Sequence, residues 1–472
     1  MTAVLRPSPR ILAAAIAGTL AVLSAAGVTS YLAFDQASSL KWGITVVGSC
    51  LLVVAATARE PLRIIVALAI IAAPFSSFHA SFLGVDVSVL WPILALGWLV
   101  AILGREPSSG RSKLALASVW FVGLMSIPLL EADGLGTQAT LLATMVAMGW
   151  LVAQVAREPG GTRIVLGALG ACTVLQGAIA IWQFHTGQQL NLYGGAGDAV
   201  FGSNYFFSFD DINRPTGGLE DPISLGNVLA LGLPALLYTV LTARTLLPRV
   251  GALLGSGVVL YALSISLSRM SWFGAVAGVA IAVALLPRGW RMATGLGVSL
   301  VVVVTVSIAM AAGGQTLIDR FDTALSPTAR SSVTRKGDET RLRLWAAGRD
   351  IARANPVVGV GFGDLPRELG KYGLDYGSFT HVHSTYLMIA ACAGAVGVLA
   401  LLIILWAFVA DVRVGRRANP IAAAALAGCL GVTLVVWLTD WTIGYPPVAA
   451  LFATVFGAAA GLARRVPLTD IE

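Results

Sequence analysis

The chain has 472 residues, of which 57% are hydrophobic and only 12% charged, with a mean hydropathy of +0.82. An ordinary soluble domain carries roughly 25% charged residues, so this composition excludes a water-soluble globular protein and identifies an integral membrane protein. The formal net charge of +7 requires no nucleic acid, because anionic lipid accounts for basic loops in such a chain.

A helix needs about 20 apolar residues to cross about 30 Å of hydrocarbon. On that measure the sequence predicts an all-α, polytopic fold of about 12–14 transmembrane helices, with residues 1–472 forming a single membrane domain. In chain order the fourteen candidate spans are about 11–33, 42–57, 63–78, 85–103, 114–130, 136–156, 164–186, 223–242, 251–268, 271–287, 293–313, 383–409, 420–438 and 446–463. The first follows Arg6 and Arg10 but outruns the apolar core of a signal peptide, so it is expected to stay as a helix.

Basic residues collect in cytoplasmic loops of membrane proteins, which gives the spans a direction. Arg59 and Arg63, Arg105, Arg111 and Lys113, Arg157 and Arg163, Arg244 and Arg249, Arg288 and Arg291, and Arg413, Arg416 and Arg417 fall in alternate loops, with Arg464 and Arg465 at the tail. The intervening loops, such as "EADGLG" and "TDWTIGYPP", carry few or no cations. Both termini are therefore expected on the cytoplasmic side of the inner membrane.

Two segments on the opposite side depart from this economy of charge. The first, about 187–222, is rich in glycine, proline and aromatic residues, and Tyr205, Phe206 and Phe207 suit an interfacial anchor. It holds Arg214 between the acidic pairs Asp210–Asp211 and Glu220–Asp221, where a structural salt bridge is the plain alternative to a functional role.

The second, about 314–382, carries Arg320, Arg330, Arg335, Lys336, Arg341, Arg343, Arg349, Arg353, Arg367 and Lys371. So many cations on this side point to an anionic ligand, a lipid-linked one included, against the alternative of a solvated helical surface. Within it "DETRLRLWAAGRDIARANP" predicts one helix: Asp338 as N-cap, Leu344, Ala347 and Ile351 on one face, and Asn355–Pro356 as the stop. Arg341 and Trp345, four apart, share a side. The glycines of "VVGVGFGD" follow a helix, whereas a dinucleotide fingerprint needs a strand before them, so a turn back to the bilayer is expected.

Arg269 stands where two apolar runs meet, with no other charge between Arg249 and Arg288. A cation so placed is costly unless it lines a cavity, finds a partner or snorkels to the interface. His381 and His383, in "FTHVHSTYLMIA", open a long apolar run. As metal ligands they lack a clear third partner, with Asp375 only a candidate, and no metal or other cofactor is expected. His79 and His185 have no motif around them. The four cysteines, Cys50, Cys172, Cys392 and Cys429, fall inside predicted spans and read as packing residues.

The succession "DINRPTGGLEDPISLGN", "SLSRMSWFG", "RLRLWAAGRDIARANPVVGVGFGD" and "HVHSTYLMIAACAGAVGVL" resembles the O-antigen ligase and polymerase superfamily of bacterial envelope glycosyltransferases, over about residues 211–400. The resemblance implies a helical membrane enzyme with a large loop outside the cytoplasmic membrane. It also implies transfer of a glycan from a polyprenyl diphosphate carrier to a hydroxyl of a glycan or lipid acceptor, without a metal.

By resemblance, Arg214, Arg269 and Arg341 match the family's arginines, and His381 with His383 match its "HxHN" element. Arginine suits a leaving diphosphate and histidine suits an acceptor hydroxyl that must lose a proton. The expected catalytic set is His383 as base, His381, Arg269 and Arg341, with Arg214, Arg343, Trp345 and Ser384 binding substrate. Ser384 stands where the family usually has asparagine. Ligase and polymerase differ only in the acceptor, and a membrane carrier or flippase for a lipid-linked or anionic glycan is the alternative from another class.

Overall fold

The computed structural model describes residues 60–76, 79–82, 85–88, 90–103, 135–188, 208–209, 212–219, 221–325, 332–374 and 380–466. Among them are thirteen α-helices: α1 (Pro61–Ala72), α2 (Leu90–Leu103), α3 (Leu135–Ala156), α4 (Gly161–Thr186), α5 (Pro222–Thr242), α6 (Leu246–Ile265), α7 (Arg269–Leu285), α8 (Arg288–Leu325), α9 (Ser332–Ala354), α10 (Leu365–Gly370), α11 (Thr385–Ala418), α12 (Pro420–Val436) and α13 (Pro446–Ala463). Six of them, α4, α5, α6, α8, α11 and α13, are long and apolar enough to cross a membrane, and α1, α2, α3, α7 and α12 are shorter apolar helices. The protein is a multi-pass helical membrane protein.

The spans expected at 11–33, 42–57 and 114–130 lie outside the described residues, and each of the others coincides with a helix. Some boundaries move. The 63–78 span ends early, since α1 passes into a 3-10 turn over Ala73–Phe75 at Pro74. The 85–103 span opens not as helix but as strand β2 (Val85–Ser88), paired antiparallel with β1 (His79–Phe82), and α2 starts at Leu90. Helix α8 continues to Leu325, so the start of the long loop expected from residue 314 is helical.

Helix starts follow local chemistry. Proline occupies the first turn of α1, α5, α12 and α13, where its missing N–H costs nothing. Asp221 caps α5 by accepting from Ile223 N (2.8 Å) and Ser224 N (2.9 Å), and Asn419 caps α12 by accepting from Ala422 N (3.0 Å). Asp338 does not cap α9, which begins six residues earlier at Ser332. The apolar face read from the sequence is correct: Leu344, Ala347 and Ile351 are buried.

Helix α5 lies at the centre, packed on α4, α6, α7 and α12. Small residues four apart allow α7 to meet α12 backbone to backbone: a Cβ added to Gly278 would lie 2.7 Å from the Gly428 carbonyl oxygen. Helix α8 sits at the periphery against α6 and leaves Leu296, Leu300 and Val303 exposed, as a lipid-facing helix does.

Inside α11 the chain leaves helical geometry at Gly394 (φ 57°, ψ −152°). The segment after α9 fills the break. Val360 and Gly361 N–H groups donate to the Ala391 and Cys392 carbonyls (3.0 and 2.9 Å), and Ala395 and Val396 N–H groups donate to those of Pro356 and Val357 (2.8 and 3.2 Å). The glycines of "VVGVGFGD" thus strap α9 to α11. Broken helices persist in membranes only where the freed backbone groups are paired in this way.

The two ends of the bundle differ. At one, Arg63 at the start of α1 pairs with Glu158 (3.0 Å), and Arg163 at the start of α4 donates to the carbonyl of Thr242 at the end of α5 (3.3 Å). Two of the basic turns expected to share a side, those of Arg63 and of Arg163, meet there. The opposite ends of α5, α6, α7 and α12 meet around a cavity.

Candidate functional site

The cavity measures about 420 Å³ and is lined by Arg214, Arg269, Arg341, Trp345, Asn227 and Asp440 together with apolar residues, among them Leu267, Met270 and Phe273. Each cation arrives on a different element. Arg214 opens the loop that leads to α5, Arg269 is the first residue of α7, and Arg341 projects from the same side of α9 as Trp345. The three arginines expected at the site are therefore brought together from positions far apart in the chain.

Of the acids flanking Arg214 in sequence, Asp221 is described and serves as the cap of α5, while Asp210, Asp211 and Glu220 lie outside the described residues. Arg214 Nε and one terminal nitrogen donate to the Ser266 carbonyl (2.9 and 2.7 Å). Burial pulls the Arg214 pKa down to about 10, the nearby Asp221 charge opposes this, and Arg341 adds to it. Burial also raises the Asp221 carboxyl, and Asp440 raises it further by like-charge repulsion.

The histidines precede α11 rather than sitting on it. Their rings approach to 4.3 Å between centroids, so the i,i+2 spacing does not send them apart as it would on a helix. His383 adopts φ 49°; among the described residues the other non-glycine with positive φ is Leu267 (φ 57°), on the cavity wall. Strained backbone of this kind costs on the order of 1–3 kcal/mol per residue and collects at functional sites. Trp345 Nε1 holds the turn by donating to the His383 carbonyl (3.1 Å).

Asp440 completes the pair. Its Oδ1 lies 3.8 Å from His383 Nδ1 and accepts from Trp441 N (3.0 Å), and its Oδ2 accepts from Asn227 Nδ2 (3.2 Å). Ser271 in turn donates to Asn227 Oδ1 (2.8 Å). Thr385 Oγ1 donates to the Asp440 carbonyl (2.7 Å), tying the start of α11 to the loop after α12. His381 has its pKa lowered to about 4, chiefly by burial, then by His383 and Arg341, with Asp440 opposing.

Sequence reasoning missed Asp440 and Asn227. The signal for Asp440 was a lone carboxylate in "LTDWT", a stretch otherwise free of charge between two apolar runs. It also supplies the third donor that the histidines lacked on sequence: ligand atoms of His381, His383 and Asp440 lie within 4.8 Å of one another. Asp375 lies outside the described residues.

Two expected binders stand elsewhere. Arg343 donates to the Gly373 carbonyl (3.2 Å), away from the residues that line the cavity. Ser384 caps α11, accepting from Leu387 N (3.5 Å) and donating to the Trp437 carbonyl (3.5 Å), rather than orienting an imidazole. His185 meets Tyr261 Oη (3.2 Å) outside the cavity, and Cys172, Cys392 and Cys429 are buried and free.

A family model described as O-Antigen ligase matches residues 251–402. The match takes in Arg269, Arg341, His381 and His383, and stops short of Arg214 and Asp440. No curated protein matches the chain. The match supports an O-antigen ligase- or polymerase-like family and glycan transfer in general.

Proposed function

We propose that this O-antigen ligase-like membrane protein transfers a glycan from a polyprenyl diphosphate carrier to an acceptor hydroxyl at the outer face of the cytoplasmic membrane. The observation that supports it most is the convergence of Arg214, Arg269 and Arg341 on one cavity beside the His383–Asp440 pair. Three permanent cations serve a diphosphate, and a histidine next to a carboxylate serves a hydroxyl. With the basic turns taken as cytoplasmic, the cavity faces outward.

In the proposed reaction the acceptor oxygen attacks the anomeric carbon, and the bond from that carbon to the diphosphate oxygen breaks. The hydroxyl proton passes to His383, whose imidazolium form Asp440 stabilises. The negative charge that builds on the departing diphosphate meets the arginines, of which Arg214 is held in advance by its two donors on the Ser266 carbonyl. The proposed role needs no metal, because the permanent charge of arginine meets the diphosphate and a neutral imidazole takes the proton.

Lipid-linked glycans extracted from cells with the wild-type protein, a deletion or His383→Ala test the reading. Both defective strains accumulating a single repeat unit on the carrier indicates a polymerase, and finished polymer on the carrier indicates a ligase. Unchanged carrier-linked glycan in all three refutes the transferase and returns the carrier alternative.

A further inference from the structure

Two buried glutamines on α4 grip the loop that carries Arg214. Gln183 and Gln176 are seven residues apart, about two helical turns, and so share a face. Gln183 Oε1 accepts from the backbone N–H groups of Thr216 (3.0 Å) and Gly217 (2.7 Å), and its Nε2 donates to the Gly217 carbonyl (2.9 Å). Gln176 Oε1 accepts from Gly218 N (2.7 Å). Both side chains are fully enclosed.

An amide placed in an apolar helix is costly unless it is hydrogen-bonded. Gln183 spends both acceptor sites and one donor on two consecutive residues of a single loop. Arg214 lies two residues before the first of them, and the intervening Pro215 has its φ fixed by its ring. Fixing Thr216 and Gly217 therefore fixes where the arginine backbone stands. Its guanidinium is held in turn through Nε and one terminal nitrogen, both on the Ser266 carbonyl, and it lines the cavity.

We infer that Gln183 is a positioning residue, holding the Arg214 loop against α4 so that the guanidinium is set for a diphosphate before that group binds. The inference rests on the diphosphate reading of the cavity. Gln183 itself touches no ligand and acts through Arg214, so its effect vanishes once Arg214 is gone.

The test uses the full chain purified in detergent, with geranylgeranyl diphosphate as the probe and geranylgeraniol as the phosphate-free control, followed by calorimetry. Arg214→Ala is expected to weaken diphosphate binding by about 10–100-fold and Gln183→Leu by about 5–50-fold. The double variant should bind within about twofold of Arg214→Ala, because interacting residues are non-additive. Alcohol binding should match wild type in all three, which a general loss of structure would not allow.

Gln183→Leu binding the diphosphate as wild type does, or multiplying its loss with that of Arg214→Ala, overturns the inference alone. A wild-type protein that does not prefer the diphosphate to the alcohol, or an Arg214→Ala variant with unchanged affinity, overturns the diphosphate reading and this inference with it. Should Gln183→Leu not fold, Gln183→Glu keeps both acceptors, loses the donor, and is judged by the same cycle.

Discussion

Asp440 Oδ1 stands 3.8 Å from Nδ1 of His383, at the end of a hydrogen-bonded run from Ser271 through Asn227. That separation is too long for a hydrogen bond and short enough for strong attraction once the imidazole is charged. Asp440 is therefore matched to the moment after His383 has taken a proton. Asp440→Asn keeps the shape and removes the charge, and is expected to lower kcat by about 10–100-fold with the donor KM little changed. Single-turnover transfer by purified protein checks this, and an unchanged rate would remove Asp440 from the mechanism.

Arg341 and Arg343 are two residues apart on α9 and face different surroundings. Arg341 lines the cavity, and Arg343 donates to the Gly373 carbonyl. Arg341→Ala is expected to cost about 100-fold in kcat/KM, comparable to loss of one preorganised donor to developing charge. Arg343→Ala should stay within about threefold of wild type. Equal losses in the two variants would contradict the cavity assignment.

The sequence made the helices legible because lipid imposes length and apolarity on each, and the turns of Arg63 and Arg163, which the charge rule places on one side, meet at one end of the bundle. Arg269 was legible for the same reason, as a cation that the surrounding apolar runs did not need. Asp440 was not, since its value comes from lying beside His383 across a separation in sequence that no local pattern records. Arg343 and Ser384 suited the chemistry by residue type, and what the sequence could not show is that the turn of α9 brings Arg343 to the Gly373 carbonyl and that Ser384 caps α11. The break at Gly394 was hidden because an apolar run reads the same whether or not its backbone stays helical.

His381 gives a pH signature. Its pKa in the fold, about 4, lies below the ordinary 6.5, so between those values the unfolded chain binds more protons than the folded one. Stability then rises with pH across that window. The contribution is complete above about pH 6.5 and is lost as pH falls toward about 4. His383, Arg341 and Asp440 set the field at this ring. Relative to His381→Gln, the wild-type melting temperature should fall on acidification from pH 6.5 to 4. A constant difference between the two proteins over this range would show that His381 is not held neutral.

Gly359 and Gly394 hold the strap that joins α9 to α11. Gly359 has φ +72°, and a Cβ there would run into the backbone of Cys392 and Ala393. Gly359→Ala thus meets both strain and collision, and is expected to destabilise the protein by about 1–3 kcal/mol or more. Gly373 has a similar φ of +68° but open space around it, so Gly373→Ala should cost less. Thermal unfolding in detergent ranks the two, and the reverse order would show that the strap is not under the constraint its hydrogen bonds describe.

Removing metal tests the proposed mechanism at its most exposed point. His381, His383 and Asp440 present donors within 4.8 Å of one another, close enough to share one ion. The same groups serve a base mechanism, in which His383 keeps a lone pair for the acceptor proton and Arg341 supplies positive charge without coordination. The two uses exclude each other, because an imidazole nitrogen committed to a metal cannot take a proton. Purified protein dialysed against EDTA is expected to transfer glycan at its original rate. Loss of transfer, restored by zinc or manganese alone, would assign the three residues to a metal and leave the proton to another acceptor.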